Sequence, residues 1–515
     1  MADNTLLNRR RAGVLLHPSS LPGAGYCGIF GAEARNFVDL IVAAQLQVWQ
    51  VLPLGPTHTD LCPYQSYSVH AGNPDFIDLH WLAAQGWVSR SRVDAGHVSA
   101  EEKRLVLDEA SRAFFLEKEA GMNLSMVSAY ERFLERSAFW LEDYVRFQAF
   151  RDAQGHLPWT SWPAALRNCD SIASNRYAAE LAGQIDEQRF RQFVFHCQWE
   201  ELRQYANERG VLMFGDMPIY VHHDSADVWS HQSQFDLDQD GVPVTVTGVP
   251  PDYFSTEGQL WGNPQYNWHL MQEDGFQWWL QRFASAAAQF DILRIDHFRA
   301  LEAYWEIPAR ASSAREGRWV SAPGRAMLTA VRERFPSLCL VAENLGTISQ
   351  EVEALRADFA LPGMVVLQFA FDGNLENPYL NHRHSPIDIV YTGTHDNDTT
   401  LGWFESLSDE LRAKVYSYYN YPEQAMPWLL IEQAFASPCA TAIIPWQDFL
   451  ALDGTHRMNT PGTREGNWQW RFTWEQAPPG IAVRIRELLE QYDRTGSTVC
   501  SCEGQQVECH TQTSG

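Results

Sequence analysis

Short, uninterrupted apolar runs recur along this chain, each closed by polar, Gly or Pro residues. Eight stand out: Gly13–Leu16, Val48–Leu54, Val211–Phe214, Phe290–Ile295, Leu338–Ala342, Val365–Phe371, Ile389–Tyr391 and Thr441–Pro445. Runs this short without polar alternation fit strands buried on both faces, as in a parallel sheet covered by helices. Segments of helical period lie between several of them, including Ala32 to Leu46 and Ser349 to Phe359. Eight such units predict an α/β fold, a (β/α)8 TIM barrel.

Two gaps between runs are too long for a plain connection. Residues 60–205, after the second run, are charged and mainly helical in period. Trp140, Tyr144 and Phe147 recur at i, i+4 and i+7, and Phe190, Phe193, Val194 and Cys197 form a second apolar stripe. Residues 222–275, after the third run, are rich in Gly, Pro, Asp and aromatics, and 248–264 is turn chemistry throughout. A polar loop of that length is expected to act as a lid or binding loop. The expected organisation is a single barrel over 1–515 with a helical insertion, a loop-rich insertion and a flexible tail at 496–515. In that tail Cys500, Cys502, Cys509 and His510 match no standard zinc spacing.

Charge then narrows the chemistry. Against 39 basic residues stand 64 acidic ones, a net charge of −25, which argues against nucleic acid as a partner. Only Lys103, Lys118 and Lys414 are lysines, leaving little scope for Schiff-base chemistry or a P-loop. No run approaches the roughly 18 apolar residues of a membrane span, and the stretch after Arg9-Arg10-Arg11 is too brief for a secretory signal. Nine cysteines, mostly scattered singly like Cys197 and Cys339, read as reduced thiols of a cytoplasmic protein. The 20 tryptophans suit either a core or the flat faces of sugar rings.

Acidic residues fall at the C-terminal ends of four of the predicted strands: Asp216, Asp296, Glu343 and Asp396. A single strand-end acid is an ordinary cap or turn former. Four converging on the end of a barrel where active sites are built point to chemistry. Glycoside cleavage uses two carboxylates, one as general acid and one as nucleophile or base. Arg294, two residues before Asp296, shares its face of the strand and is expected to keep that carboxylate ionised. Glu343 follows a wholly apolar run with no adjacent cation, which suits a raised pKa and an acid's role. His17, His297 and His395 also lie near strand ends, and His222-His223-Asp224 follows the third. A metal-dependent barrel hydrolase is the rival reading. His17-Pro18-Ser19 lacks the His-x-His pair such an enzyme would place on its first strand, so the histidines read as donors to sugar hydroxyls, with no metal and no cofactor.

Arg-Ile-Asp-His-Phe-Arg (294–299), Ala-Glu-Asn-Leu-Gly (342–346) and Thr-Gly-Thr-His-Asp-Asn-Asp-Thr (392–399) resemble catalytic segments of the α-amylase clan. Gly-Val-Pro-Pro-Asp-Tyr-Phe-Ser (248–255) and Gln-Leu-Trp-Gly-Asn-Pro (259–264) narrow the resemblance to the amylomaltases, or 4-α-glucanotransferases. Leu-His-Pro-Ser-Ser-Leu-Pro-Gly (16–23), Gly-Asp-Met-Pro-Ile-Tyr-Val (215–221) and Arg-Met-Asn-Thr-Pro-Gly-Thr (457–463) add to it, and it covers about residues 12–490. The resemblance implies a barrel with no C-terminal β-sandwich domain and a retaining glucan transfer between maltooligosaccharides and glucose. It implies Asp296 as nucleophile, Glu343 as acid/base and Asp396 as the third carboxylate. Arg294 would orient Asp296. His297 and His395 would contact the donor sugar, Tyr64 would stack beneath it, and Asp216, Trp261 and Asn459 would bind glucan. Two alternatives remain at this point: a starch-type hydrolase with the same residues, and a non-catalytic glucan-binding barrel. The chain departs from the family pattern in Thr57-His-Thr-Asp-Leu-Cys62, just before Pro63-Tyr64.

Overall fold

The computed structural model describes residues 7, 9–94, 99–251, 257–463 and 465–495. Each of the eight apolar runs contains or overlaps a strand: β1 (Arg11–Leu15), β2 (Val48–Gln50), β3 (Leu212–Met217), β4 (Ile292–Ile295), β5 (Cys339–Ala342), β6 (Met364–Val366), β7 (Ile389–Tyr391) and β8 (Thr441–Pro445). All neighbours are parallel, in the order β6-β7-β8-β1-β2-β3-β4-β5. The chain is a nearly closed (β/α)8 barrel. Val365–Phe371 is only partly strand: after Val366 the backbone tightens into a 3-10 turn over Leu367–Ala370.

Burial on both faces explains the unbroken apolar runs. Side chains that point inward, among them Val48, Phe214, Ile292, Val341, Val366, Ile389 and Ile443, form one cluster inside the barrel. The outward set, including Val14, Trp49, Met213, Leu293, Leu340 and Ile444, packs against the helices. Gly13 stands where an added Cβ would come within 2.6 Å of Val48 Cβ and 2.7 Å of Ile443 Cδ1, so that layer closes only around a glycine. Period two along the strands then decides what lies above the apolar layer. Inward positions step from Ile292 to Arg294 to Asp296, from Phe214 to Asp216, and from Val341 to Glu343. The apolar floor and the charged mouth are thus written on the same faces of the same strands.

Between β2 and β3, helices at Ala100–Glu119, Leu124–Ser137, Leu141–Ala153 and Ser171–Glu180 precede the 26-residue helix Ala182–Asn207. Ser99 and Glu102 form a capping box that starts the first of them. Phe190, Phe193 and Val194 are buried on the long helix. Beyond β3 the structure holds more strand than the composition suggested. Thr245–Val249 and Gln259–Pro264 pair antiparallel and are joined by Ala303–Pro308 and Arg318–Ser321 in a four-stranded sheet. The Gly and Pro density of 222–275 hid the β-branched alternation of Thr-Val-Thr-Gly-Val. Tyr253 and Phe254 of the 248–264 loop, and the whole 496–515 tail, lie outside the described residues. Among the described residues no helix is long and apolar enough to cross a membrane.

Candidate active site

Strand register builds the first half of the site. Asp216 and Arg294 are direct partners on β3 and β4, so both side chains rise on the inner face side by side. Arg294 Nη1 donates to Asp216 Oδ1 and Oδ2, both at 2.7 Å, and to Asp296 Oδ1 at 2.9 Å. The Tyr64 hydroxyl donates to Asp216 Oδ2 at 2.7 Å. Asp216, expected among the glucan-binding residues, has a side chain with 0% exposure. It accepts from Tyr64 and Arg294 and lines the cavity beside Tyr64.

Asp296 keeps a quarter of its side chain exposed at the mouth. Burial pushes its carboxyl up to about 7; Arg294 opposes the shift, and the Asp216 and Glu343 carboxylates add to it. This corrects the expectation that Arg294 holds Asp296 low. The guanidinium acts in that direction, but it is shared between two carboxylates and burial outweighs it.

Glu343 begins where β5 ends. Its Oε2 accepts the His297 backbone N–H at 2.6 Å and its Oε1 accepts the Leu345 N–H at 2.8 Å. Burial raises its pKa against the pull of Arg294 and those two donors. His297 adopts a left-handed backbone, φ 45°, which turns its N–H toward Glu343. Its ring meets the Trp261 ring edge-on at 5.0 Å, and its buried Nε2 has no partner among the described residues. Burial lowers the His297 pKa to about 3, so the ring is neutral.

The second half of the site comes from the loop after β7. Asp396 Oδ1 accepts the Asn459 amide at 2.6 Å, and His395 Nε2 lies 3.4 Å from Asp396 Oδ2. Burial opposes the shift, but His395 and Asn459 hold Asp396 well below the ordinary carboxylate range. Half of its side chain is exposed, so water screens part of that effect. The His395 ring stacks on Tyr64 at 5.1 Å with 21° between planes. His395 pKa rises despite burial because Asp396 faces it. Tyr64 joins the two halves, its hydroxyl on Asp216 and its ring on His395.

Several predicted residues lie elsewhere. His222 packs on His58 at 4.0 Å, and His223 Nε2 contacts the Gly241 carbonyl oxygen at 2.8 Å, so this pair braces the β3 connection. His17, by contrast, lines the same cavity as His395, and burial together with His395 lowers its pKa to about 3. Among the described residues no three His, Cys, Asp or Glu side chains are grouped as a metal site. Two supports escaped sequence reasoning. Arg457 Nη2 donates to the Asp396 carbonyl at 3.0 Å and its Nε to the Asn459 carbonyl at 2.8 Å, locking the two loops together. Asp448, buried just past β8, accepts from the Thr392 and Thr400 hydroxyls at 2.6 and 2.7 Å and from Thr400 N at 2.7 Å, pinning both ends of the Asp396 loop. A buried acid within Trp446-Gln-Asp-Phe-Leu450 was the available signal.

Comparison with known proteins supplies the family. The signature of the family described as 4-alpha-glucanotransferase matches residues 16–476. A 4-alpha-glucanotransferase of Thermus thermophilus is 45% identical over 501 residues, covering 94% of this chain and 99% of the relative. One from Synechocystis is 40% identical over 499 residues, covering 95% and 99%. Amylomaltase from Streptococcus agalactiae, solved in complex with acarbose, superposes with a TM-score of 0.90 at 36% identity, covering 94% of this chain and all of that one. With its strand-end carboxylates, its barrel and this similarity along nearly its whole length, the chain belongs to the 4-alpha-glucanotransferase family and is an enzyme of that type.

Proposed function

We propose that this enzyme moves α-1,4-glucan segments from a donor maltooligosaccharide to the 4-hydroxyl of an acceptor sugar, glucose included, by retaining double displacement. An Asp296 oxygen attacks C1 of the donor residue as the C1–O4 bond breaks, and Glu343 gives its proton to the departing O4. The acceptor hydroxyl then attacks C1, its proton returns to Glu343, and Asp296 is released. Asp396 meets the donor sugar's hydroxyls, and its charge steadies the positive character that develops at the ring. His395 and Asn459 hold Asp396 for that contact, while His297 Nε2 and the Trp261 ring face the sugar chain.

The observation that carries the reading is the contrast between two neighbouring strand ends. Asp296 lies against a guanidinium that favours its ionised form, whereas Glu343 has only backbone N–H groups on its oxygens. Those surroundings suit a nucleophile and an acid respectively. Retention requires their carboxyls about 5–5.5 Å apart. The 248–264 loop, with Trp261 on its described part, would keep water from the intermediate so that a sugar hydroxyl reacts first. A cytoplasmic location belongs to the same proposal and is supported by the thiols of Cys197 and Cys439.

Incubation with maltotriose tests it. Glucose together with oligosaccharides longer than maltotriose is the expected result. Maltose and glucose without elongation would mean a hydrolase, and no products a binding protein. Asp296→Asn should abolish turnover while leaving the fold intact, and an active variant would remove Asp296 as nucleophile.

A further inference from the structure

The barrel has one seam without a strand ladder, and it lies beside Glu343. β5 and β6 are the two ends of the sheet order. Elsewhere each strand edge is satisfied by its neighbour, as a closed barrel requires. At the seam the first link is a single backbone bond, from Ala342 N to the Pro362 carbonyl at 2.9 Å. The second is supplied by a side chain: Met364 N, at the start of β6, donates to Asn344 Oδ1 at 2.9 Å. Asn344 follows Glu343 directly, and its side-chain amide stands in for a missing strand partner.

A polar relay fixes that amide. Asn344 Nδ2 donates to Glu353 Oε1 at 2.8 Å, and Glu353 Oε2 accepts Arg356 Nε at 2.9 Å. Arg356 Nη1 donates to the Leu361 carbonyl at 2.8 Å and to Asp388 Oδ1 at 3.2 Å. Asp388 Oδ1 also accepts Gly363 N at 2.7 Å, which closes the relay onto the start of β6 and the base of β7. An added Cβ at Gly363 would lie 2.8 Å from both Asn344 Nδ2 and Oδ1, so the amide reaches its place only across a glycine. The backbone this relay holds is the one that presents the acid: Glu343 N donates to Ile295 O at 3.0 Å, and Leu345 N donates to Glu343 Oε1.

We infer that Asn344, held by Glu353 and Arg356, is a positioning residue for Glu343, closing the barrel seam so that the acid/base carboxyl stands where the leaving oxygen needs its proton. The inference rests on Glu343 as the acid. General acid catalysis contributes about 10²–10⁴-fold, and misplacing a catalytic group by about 1 Å can forfeit about 10²-fold. Loosening the seam should therefore cost the proton-transfer step specifically.

The test compares maltotriose with α-maltosyl fluoride, whose fluoride leaves without a proton, and reads bond cleavage in the first turnover of correctly folded enzyme. Asn344→Ala should lower the maltotriose rate by about 10–100-fold and the fluoride rate by less than about threefold. Glu353→Ala, which leaves Asn344 in the seam, should show the same split more weakly and decides the matter if Asn344→Ala does not fold. Equal losses on both substrates, or none, would overturn the inference. Glu343→Ala is the control. If it shows the split and the seam variants do not, only the positioning role fails. If it shows no split, the reading of Glu343 fails.

Discussion

Asp216 and Asp396 look alike in the chain, each an acid near a strand end of one barrel, yet the fold treats them as opposites. Asp216 has no exposed side-chain surface and spends its oxygens on Arg294 and Tyr64. Asp396 is half exposed and is held by one amide, a neighbouring imidazole and the Arg457 bond to its carbonyl. The first is a post that fixes other groups; the second is left half open, as the proposed contact with a donor sugar requires. Position relative to the strand separates these behaviours. Asp216 sits within β3 in register with Arg294, while Asp396 lies five residues beyond β7 on a loop.

The largest expected break in this comparison is in stability. Asp216→Ala strips the buried Arg294 of two of its three carboxylate contacts and should cost about 3 kcal/mol, read by denaturant unfolding. Asp396→Ala should cost much less, because half of that side chain is exposed and its interactions are screened. Activity should reverse the order of specificity. Asp396→Asn should lower kcat by about 10²–10³-fold with little change in melting temperature, because the charge it removes is needed chiefly where positive character develops in the transition state. A melting loss in Asp396→Asn as large as that of Asp216→Ala would erase the distinction between the two acids.

The smallest effect is in pH dependence, where Asp296 and Asp396 should part. The folded Asp296 carboxyl is raised to about 7 from an ordinary 3.8, so the native state loses stability as pH rises through that interval. Asp296→Asn should therefore melt higher than the parent at pH 8, by about 1–3 °C, with the gap closing toward pH 4. Asp396 is shifted the other way, so its contribution is present above about 4 and is lost as pH falls. Asp396→Asn should melt no higher than the parent at pH 8. For catalysis, kcat/KM should fall toward acid pH, because Asp296 must be ionised to attack and burial raises its carboxyl.

The strands were legible because burial on both faces leaves short apolar runs with acids at their ends, a pattern that needs no knowledge of neighbours. That pattern singled out Asp296, Glu343 and Asp396 as candidates, and the motifs around them carried the family resemblance. The antiparallel sheet was not legible: its strands come from two different connections, and only their meeting makes Thr245–Val249 a strand. The supporting roles were not legible either. Arg457, Asp448 and Asn344 act across 61, 56 and 20 residues of chain, so their partners cannot be read from the residues around them.

By itself, then, the sequence determined the barrel's strands and which residues could do the chemistry, because hydrophobic period and residue type are properties of the chain alone. The tertiary structure decided how those residues behave. Register gave Arg294 to Asp216 as well as to Asp296, burial pushed the Asp296 carboxyl up where its neighbour alone would hold it down, and the open seam beside β5 made a side-chain amide serve as a strand. Each depends on distance and dielectric between segments far apart in the chain, which only the folded molecule sets.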